Sequence, residues 1–251
     1  MIVRRASPEV HSHEVPVVTV PIVGLAVSTP RSRLVSFDIR NQPFSFQAGH
    51  AVMVGRHGQS ERRPYSIACS PEQAVETQQL ELLITVEPDG MFGPHLDPVL
   101  PGIMLDVEGP IGTFVLPPVS IDGRVLFVAG GTGIAPLRSM LDHILRRRNG
   151  PRVSLLYSAR RGDEFAFIEE LQRHAAAGRI ELHQTVTRDE SSAWSGRRGR
   201  IGRSHFEAVL HDPGRTVCVV CGPEPLVSES VSTLKGLGVP EEHIRTEQWG
   251  K

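Results

Sequence analysis

The sequence predicts two domains, an antiparallel β-barrel over residues 1–119 and a Rossmann-like α/β domain with a parallel sheet over residues 120–251. In the first range, short apolar stretches are separated by Gly, Pro, Asn and Asp, as in small antiparallel barrels and sandwiches. After Gly123, apolar strands alternate with helical stretches, which is the order of a parallel sheet with crossover helices. The domain boundary is therefore expected between Pro117 and Gly123.

The bulk composition narrows the function classes. The 251 residues are enough for two domains that each bury a core. Charged residues make up 22% of the chain and the formal net charge is -1, so no overall basic field favours nucleic acid. No apolar run has the length of a signal-peptide core or a membrane span. A cytoplasmic protein without a membrane segment is expected.

Metal chemistry finds little support in the sequence. Three cysteines are too few for the four thiolates of an ordinary iron–sulfur cluster, so any such cluster is expected on a partner protein. His11 and His13 lie near the N-terminus, and no other histidine pair has the spacing of a metal site on a helix. No metal ligand set is predicted.

The pattern places two helices in the second domain. One precedes the Gly150-Pro151 stop and carries five apolar residues at i, i+3, i+4, i+7 and i+8. These residues are Leu137, Met140, Leu141, Ile144 and Leu145. The other helix is expected from about Asp163 to Ala177, with acidic residues in its first turn.

A glycine-rich turn lies between an apolar strand and the first of these helices, in the segment VLFVAGGTGIAPLRSML. Gly130, Gly131 and Gly133 have no side chains, so a pyrophosphate can approach backbone N–H groups at the helix N-terminus. Thr132 can add a hydroxyl, and Pro136 suits the first helical turn. A dinucleotide site is predicted; a tight turn without a ligand is the alternative.

The next strand ends in YSARRGDE, where a Rossmann-type site contacts the adenosine ribose. Ser158, Arg160 and Arg161 can receive a 2′-phosphate, which favours NADPH over NADH. Asp163 and Glu164 follow closely and weaken this preference. Solvated arginines at a helix start are the alternative, so the choice of nucleotide stays open.

Cys218 and Cys221 form a C-x-x-C pair in the segment VCVVCGPEPLV. On an extended strand, residues three apart point to opposite faces, so the two thiols are not expected to converge on a metal or a disulfide. Cys221 lies at the strand's carboxyl end, where open α/β sheets bind their ligands, and Cys218 is expected in the core. Gly222 and Pro223 complete this corner and are expected at the nucleotide.

Four ordered motifs resemble those of the ferredoxin–NADP reductase family in its compact form, without a fused ferredoxin domain. They are RPYS at 63–66, GPIGTF at 109–114, GGTGIAP at 130–136 and CGPEPLV at 221–227. The resemblance runs from about Val15 to Trp249. It implies an FAD-containing NAD(P)H oxidoreductase, with FMN as the alternative flavin, that passes hydride from NADPH or NADH to flavin. The electrons would continue to a ferredoxin, a flavodoxin or an oxygenase component.

The resemblance assigns the RPYS motif to the flavin. Arg63 would pair with the flavin phosphate, Tyr65 would lie against the isoalloxazine, and Ser66 would hydrogen-bond near the flavin N5, with Pro64 between them. The chemistry agrees, because a guanidinium matches phosphate oxygens and an aromatic face stacks on a flat ring. Without the resemblance, the motif is an ordinary polar strand entry.

In the family, a strand and a Gly-x-x-Ser-like turn hold the flavin phosphates. Their counterparts here would be Leu83, Ile84, Thr85, Gly90, Met91 and Gly93. The chain departs from the pattern, since Gly93 stands where a hydroxyl residue is usual. Backbone N–H groups from Gly90 to Gly93 can still form an anion-binding nest, but one donor is missing.

The resemblance also places three residues with Ser66 at the reacting rings. Cys221 would lie beside the nicotinamide, and Glu247 would tune or relay protons at the flavin edge. Trp249 would cover the flavin face until the nicotinamide displaces it. A C-terminal strand with a frayed aromatic residue is the alternative.

Two other functions remain open from the sequence. The chain can be the electron-transfer subunit of a larger oxidoreductase, or a non-catalytic flavin and nucleotide module that senses redox state. A dihydroorotate dehydrogenase subunit is disfavoured, because the chain lacks the C-terminal cysteine cluster. An arginine cluster can dock an acidic partner or form a solvated loop. It consists of Arg197, Arg198, Arg200 and Arg203.

Overall fold

The computed structural model describes residues 15–87, 89–97 and 99–248. The first half contains a six-stranded sheet and one helix, in chain order β1 to β4, α1, β5 and β6. Their bounds are Val17–Thr29, Ser32–Asp38, Ala51–Arg56, Arg63–Ser66, Pro71–Thr77, Gln79–Thr85 and Met104–Ile111. All strand pairs are antiparallel, in the order β4-β3-β6-β1-β2-β5.

A bridge between the edge strands closes this sheet toward a barrel. Ile67 follows β4 and pairs with Leu82 of β5. Val18, Val20 and Ile22 alternate with more exposed residues along β1, so one face of the strand enters the barrel core. The predicted antiparallel barrel is confirmed.

Helix α1 is an element that the sequence analysis missed. The Ser70 hydroxyl accepts a hydrogen bond of 3.0 Å from the Gln73 amide, and Pro71 occupies the first helical position. Both are standard helix-start signals. The left-handed Gln78 ends the helix after two turns, which is too short to show an apolar period.

The second half contains a parallel sheet with flanking helices, in chain order β7, α2, β8, α3, β9, β10, α4, β11, α5 and β12. Their bounds are Arg124–Gly130, Ile134–Leu145, Arg152–Ala159, Ile168–Ala176, Glu181–Val186, Arg197–Arg198, Arg203–Val209, Thr216–Gly222, Glu224–Gly236 and Ile244–Gln248. Short 3₁₀ turns are Gly131–Gly133, Gly162–Glu164, Pro213–Arg215 and Glu241–His243. The strand order is β10-β9-β8-β7-β11-β12, with all pairs parallel, which confirms the predicted Rossmann-like sheet.

Helix α3 begins later than predicted. The predicted start at Asp163 is wrong, because Asp163 and Glu164 form a 3₁₀ turn and Phe165 is extended. The Phe165 ring packs edge-on against Tyr157, at 4.9 Å between centroids, and stacks on Trp194 at 5.4 Å. This buried aromatic contact holds the chain out of helical geometry until Ile168.

The arginine cluster is not a single loop. Arg197 and Arg198 form β10 beside β9, and Arg203 begins α4. The Arg198 guanidinium donates to the carbonyls of Asp189, Ser191 and Trp194, so it holds its own loop together.

Helix α2 joins the two halves. Its Ser139 hydroxyl donates to the Cys69 carbonyl at 2.6 Å, and Asp142 accepts from the Ser70 hydroxyl at 2.5 Å. Phe114, from the segment after β6, lies in the same apolar cluster as Met140 of α2. This contact surface fixes the sheet next to the barrel. None of the helices in the described part of the chain combines the length and apolar character needed to cross a bilayer.

Candidate functional site

Two clefts adjoin where the barrel meets the parallel sheet. We call them the barrel cleft and the sheet-edge cleft, and each encloses about 400 Å³. Arg31, Thr85 and Thr132 line both clefts, so ligands in the two would be neighbours. The sequence analysis did not single out Arg31, which lies in the turn between β1 and β2.

Most of the residues expected at the flavin line the barrel cleft. They are Arg63, Pro64, Tyr65, Ser66, Leu83, Thr85 and Gly93. Ile84 is buried in the barrel core, so its side chain faces away from this cleft. Gly90 has a positive φ of 84° and Met91 is 50% exposed, and neither is part of the cleft wall.

The Arg63 guanidinium projects from β4 into the mouth of the barrel cleft. It forms an ion pair of 2.9 Å with Glu61, and both side chains are about half exposed. Exposed pairs of this kind are weak, so a phosphate can replace the carboxylate as the partner of Arg63.

Tyr65 contacts a histidine that sequence reasoning missed. The Tyr65 hydroxyl lies 2.6 Å from Nε2 of His95, and the two rings are nearly parallel. Desolvation raises the pKa of Tyr65 to about 12. Burial lowers the pKa of His95, and the Arg63 charge lowers it further. The available signal was a histidine two positions after Gly93, on the turn already assigned to the flavin.

Ser66 and Glu247 come together from opposite halves of the molecule. The Ser66 hydroxyl on β4 is 3.5 Å from a carboxylate oxygen of Glu247 on β12. Cys221 is the β11 partner of Glu247 in the strand register. Trp249 lies outside the described residues.

Cys221 is less accessible than the sequence analysis expected. Its side chain is fully buried in the core between the sheet and α2, and it does not line either cleft. Cys218 is buried in the cluster on the other face of the sheet. The expectation that the two thiols point to opposite faces is confirmed, and a thiol exposed at the ligand is not observed.

The glycine-rich turn lines the sheet-edge cleft, but its glycines differ in purpose. A Cβ on Gly133 would lie 2.4 Å from the Cys221 carbonyl oxygen, and one on Gly130 would lie 2.5 Å from Leu226. A Cβ on Gly222 would likewise lie 3.1 Å from the Gly130 backbone. These three glycines allow the β7 and β11 turns to pack together. Gly131 has a φ of 55° and faces open space, so it leaves room for a ligand.

The buried Tyr157 holds this turn in place. Its hydroxyl donates to the Gly131 carbonyl at 3.1 Å and accepts from the Ala166 amide at 3.1 Å. Burial raises the pKa of Tyr157 far above its ordinary value, so the hydroxyl keeps its proton. Pro136 is buried in α2 and does not line the cleft.

The sheet-edge cleft is rich in arginine. Ser158 and Arg160 line it, and so do Gly222 and Pro223. Arg161 instead pairs with Asp163 at 3.1 Å. Three further residues line this cleft: Thr187 and Arg188 from the loop after β9, and Arg200 from the segment before α4. The acidic residues in the wall are Glu164 and Glu229.

Comparison with known families identifies both halves. Residues 26–116 match the oxidoreductase FAD-binding domain, and residues 127–231 match the oxidoreductase NAD-binding domain. A barrel and a parallel sheet with adjoining clefts, carrying these two domains, define a flavin- and nicotinamide-dependent oxidoreductase.

The relatives specify the family. The chain is 32% identical to ferredoxin–NADP reductase B from Sorangium cellulosum (strain So ce56), over 91% of this chain and 96% of that protein. It belongs to the ferredoxin–NADP reductase family and is an FAD-containing NAD(P)H oxidoreductase. It is also 29% identical to a flavohemoprotein of Rhodopirellula baltica (strain DSM 10527 / NCIMB 13988 / SH1), over 77% of this chain and 50% of that protein.

Solved structures agree on the fold. The ferredoxin reductase in carbazole 1,9a-dioxygenase has a TM-score of 0.80 at 24% identity, covering 94% of this chain and 70% of that one. The ferredoxin–NADP⁺ reductase from Plasmodium falciparum has a TM-score of 0.75 at 17% identity, covering 93% and 96%.

Proposed function

We propose that this protein is a ferredoxin–NADP reductase-type enzyme that oxidises NADPH and delivers the electrons to a separate protein. The acceptor is a ferredoxin, a flavodoxin or an oxygenase component. The observation that carries the proposal is the approach of Ser66 to Glu247 across the two halves, at 3.5 Å, beside the adjoining clefts. The likeness to ferredoxin–NADP reductase B supports a ferredoxin-type acceptor.

The barrel cleft suits a flavin dinucleotide. Bound FAD supplies a ring that takes a hydride from the nicotinamide and releases the electrons to the acceptor. Arg63 would pair with a flavin phosphate, Tyr65 would pack on the ring, and Ser66 would donate near the reacting nitrogen. Glu247 holds the Ser66 hydroxyl in place and exchanges protons at the ring edge. The chain's main contribution would be to align the two rings for hydride transfer.

The sheet-edge cleft suits NADPH. Gly131 and the N-terminus of α2 receive the pyrophosphate, because the turn leaves open space there. Arg160, Arg188 and Arg200 line the cleft together with Ser158 and would receive the 2′-phosphate, which guanidinium groups match. The arginines outnumber the acidic residues of the wall, which favours the additional phosphate.

Arginine replacement tests the nucleotide preference. Arg188→Ala is expected to raise KM for NADPH about tenfold or more and to leave KM for NADH nearly unchanged, since NADH lacks the 2′-phosphate. Arg161→Ala is the matched control, because Arg161 pairs with Asp163 outside the cleft. Equal effects of Arg188→Ala on both nucleotides would contradict the assignment.

Acceptor reduction tests the remaining part of the proposal. The purified flavin-loaded protein, supplied with NADPH, is expected to reduce isolated ferredoxin or flavodoxin catalytically, as followed by the acceptor's absorbance. Reduction that occurs only inside a larger assembly would instead make the chain an electron-transfer component of that assembly.

A second candidate function is that of an electron-transfer subunit in a larger enzyme, and one relative supports it. The chain is 28% identical to one of the subunits of the Na⁺-translocating NADH-quinone reductase of Idiomarina loihiensis (strain ATCC BAA-735 / DSM 15497 / L2-TR). The likeness covers 75% of this chain and 48% of that one. Co-purification with a catalytic partner distinguishes this candidate from a reductase that acts alone.

A further inference from the structure

A buried histidine occupies the wall of the barrel cleft. His95 is 2% exposed and lines the cleft together with Arg63 and Tyr65. Its Nδ1 is buried and has no hydrogen-bond partner within residues 15–87, 89–97 and 99–248. A buried polar atom without a partner is unfavourable, which points to a ligand atom that completes the site.

Gly93 and His95 are sterically matched. A Cβ at Gly93 would lie 2.9 Å from Cε1 and 3.0 Å from Nδ1 of His95. The imidazole thus takes the space that a side chain at position 93 would need. The same point is 3.7 Å from Nη1 of Arg63, so the histidine and arginine nitrogens approach one spot on the wall. The hydroxyl that the family pattern has at position 93 would start from this spot.

We propose that His95 is a phosphate-binding residue that donates Nδ1–H to the FAD pyrophosphate beside Arg63. The proposal rests on the FAD-dependent function above and explains the glycine at position 93. The imidazole replaces the missing hydroxyl donor, and the ligand it recognises is a phosphate rather than the flavin ring.

Tyr65 sets the tautomer that this role needs. The Tyr65 hydroxyl lies 2.6 Å from Nε2 of His95 and keeps its proton, since desolvation raises its pKa to about 12; in this proposal it is the donor of that hydrogen bond. A neutral imidazole carries one proton, so an accepting Nε2 leaves that proton on Nδ1. Nδ1 is then a donor beside a guanidinium, which is the polarity a phosphate requires.

A purely structural role for His95 makes a different prediction. His95 stacks on Tyr65 at 6.0 Å between ring centroids and 11° between planes, so its loss can disturb Tyr65. Tyr65 faces the flavin ring in the proposed function. Disturbing Tyr65 would weaken the binding of every ligand that contains the ring. Loss of a phosphate donor would weaken the binding only of ligands that contain phosphate.

Flavin titration separates the two roles. Dissociation constants of FAD and riboflavin are measured by fluorescence for the full chain stripped of flavin. His95→Leu is expected to weaken the binding of FAD about tenfold or more and to leave the binding of riboflavin unchanged. His95→Gln, which retains an N–H donor, is expected to recover part of the loss. His50→Leu is the matched control, because His50 accepts from the Gln47 amide and does not line the cleft.

A second variant guards against misfolding. In a His95→Ala background, Gly93→Ser has room for its side chain and supplies a hydroxyl, so FAD binding is expected to improve relative to His95→Ala alone. If His95→Leu weakened the binding of FAD and riboflavin equally, or weakened neither, the role of His95 as a phosphate donor would be overturned. Wild-type protein that binds neither flavin would instead overturn the proposed function.

Discussion

At the residue scale, single buried side chains hold the ligand-facing backbone in place. The Tyr157 hydroxyl connects the Gly131 carbonyl to the Ala166 amide, and no part of its side chain is exposed. The flexible glycine next to the cleft is therefore fixed by a residue that itself cannot reach the ligand. Side chains of this kind preorganise a site although they do not contact its ligand.

Removal of one oxygen atom tests this role. Tyr157→Phe leaves the Gly131 carbonyl and the Ala166 amide without their partner, which costs about 1–3 kcal/mol. Thermal unfolding is expected at a lower Tm, and KM for NADPH is expected to rise. Phe165→Leu serves as the control, since it changes the neighbouring stack and keeps both hydrogen bonds. Unchanged Tm and KM in Tyr157→Phe would show that the hydroxyl does not fix the turn.

At the element scale, the turn between β7 and α2 combines packing and binding in three residues. A Cβ at Gly133 would lie 2.4 Å from the carbonyl oxygen of Cys221, whereas Gly131 faces open space with a φ of 55°. Gly133 is therefore needed for the packing of β7 against β11, and Gly131 leaves room for the ligand.

Two alanine substitutions are expected to separate these effects. Gly133→Ala places a Cβ against backbone, so a large loss of stability and of soluble protein is expected. Gly131→Ala costs only about 1–2 kcal/mol for the left-handed backbone, and the folded protein should bind NADPH more weakly. Circular dichroism melting measures the loss of stability, and nucleotide titration measures the binding of NADPH. A stable Gly133→Ala protein would refute the packing argument.

The elements predicted from sequence are those with a local signal. The apolar period of α2 and the glycine turn before it are both visible in the sequence, and both lie where expected. Helix α3 starts late because Phe165 packs on Trp194, a contact between residues 29 positions apart that no local pattern contains. The missed α1 has a start signal at Ser70 and Pro71 but is too short for a period.

The sequence analysis singled out the motifs at the candidate site and missed the residues that reach it from other loops. Arg63, Tyr65 and Ser66 stand in one motif, so the resemblance to the family singles them out. His95, Arg31 and Arg188 reach the clefts from other loops. Only the folded chain brings them together. His95 had a local signal, its place on the turn assigned to the flavin, whereas the two arginines had none.

At the scale of the whole molecule, one buried arginine joins the two halves. Arg138 of α2 is 7% exposed and donates to the Ala68 carbonyl at 2.9 Å and to Glu81 at 2.8 Å, both in the barrel half. It also pairs with Glu170 and lies 4.5 Å from the centre of the Phe167 ring. Burial by itself would lower the pKa of Arg138, but Glu170 and Glu81 raise it above its ordinary value.

Loss of this arginine is expected to loosen the docking of the halves. Arg138→Met leaves Glu81 and the Ala68 carbonyl partly buried without their partner, which costs about 3–5 kcal/mol. FAD should remain bound, because the barrel cleft is intact, while hydride transfer slows as ring alignment is lost. Arg146→Met is the control, since its pairs with Asp142 and Glu76 are more exposed. A normal transfer rate in a destabilised Arg138→Met protein would mean that alignment does not depend on this contact.

The central claim is that the adjoining clefts place a nicotinamide against the flavin. Anaerobic stopped-flow mixing of the FAD-loaded protein with one equivalent of NADPH tests it directly. We predict single-turnover bleaching of the flavin absorbance that slows when the transferred hydrogen of NADPH is deuterium. A bound flavin that neither NADPH nor NADH bleaches would contradict the account.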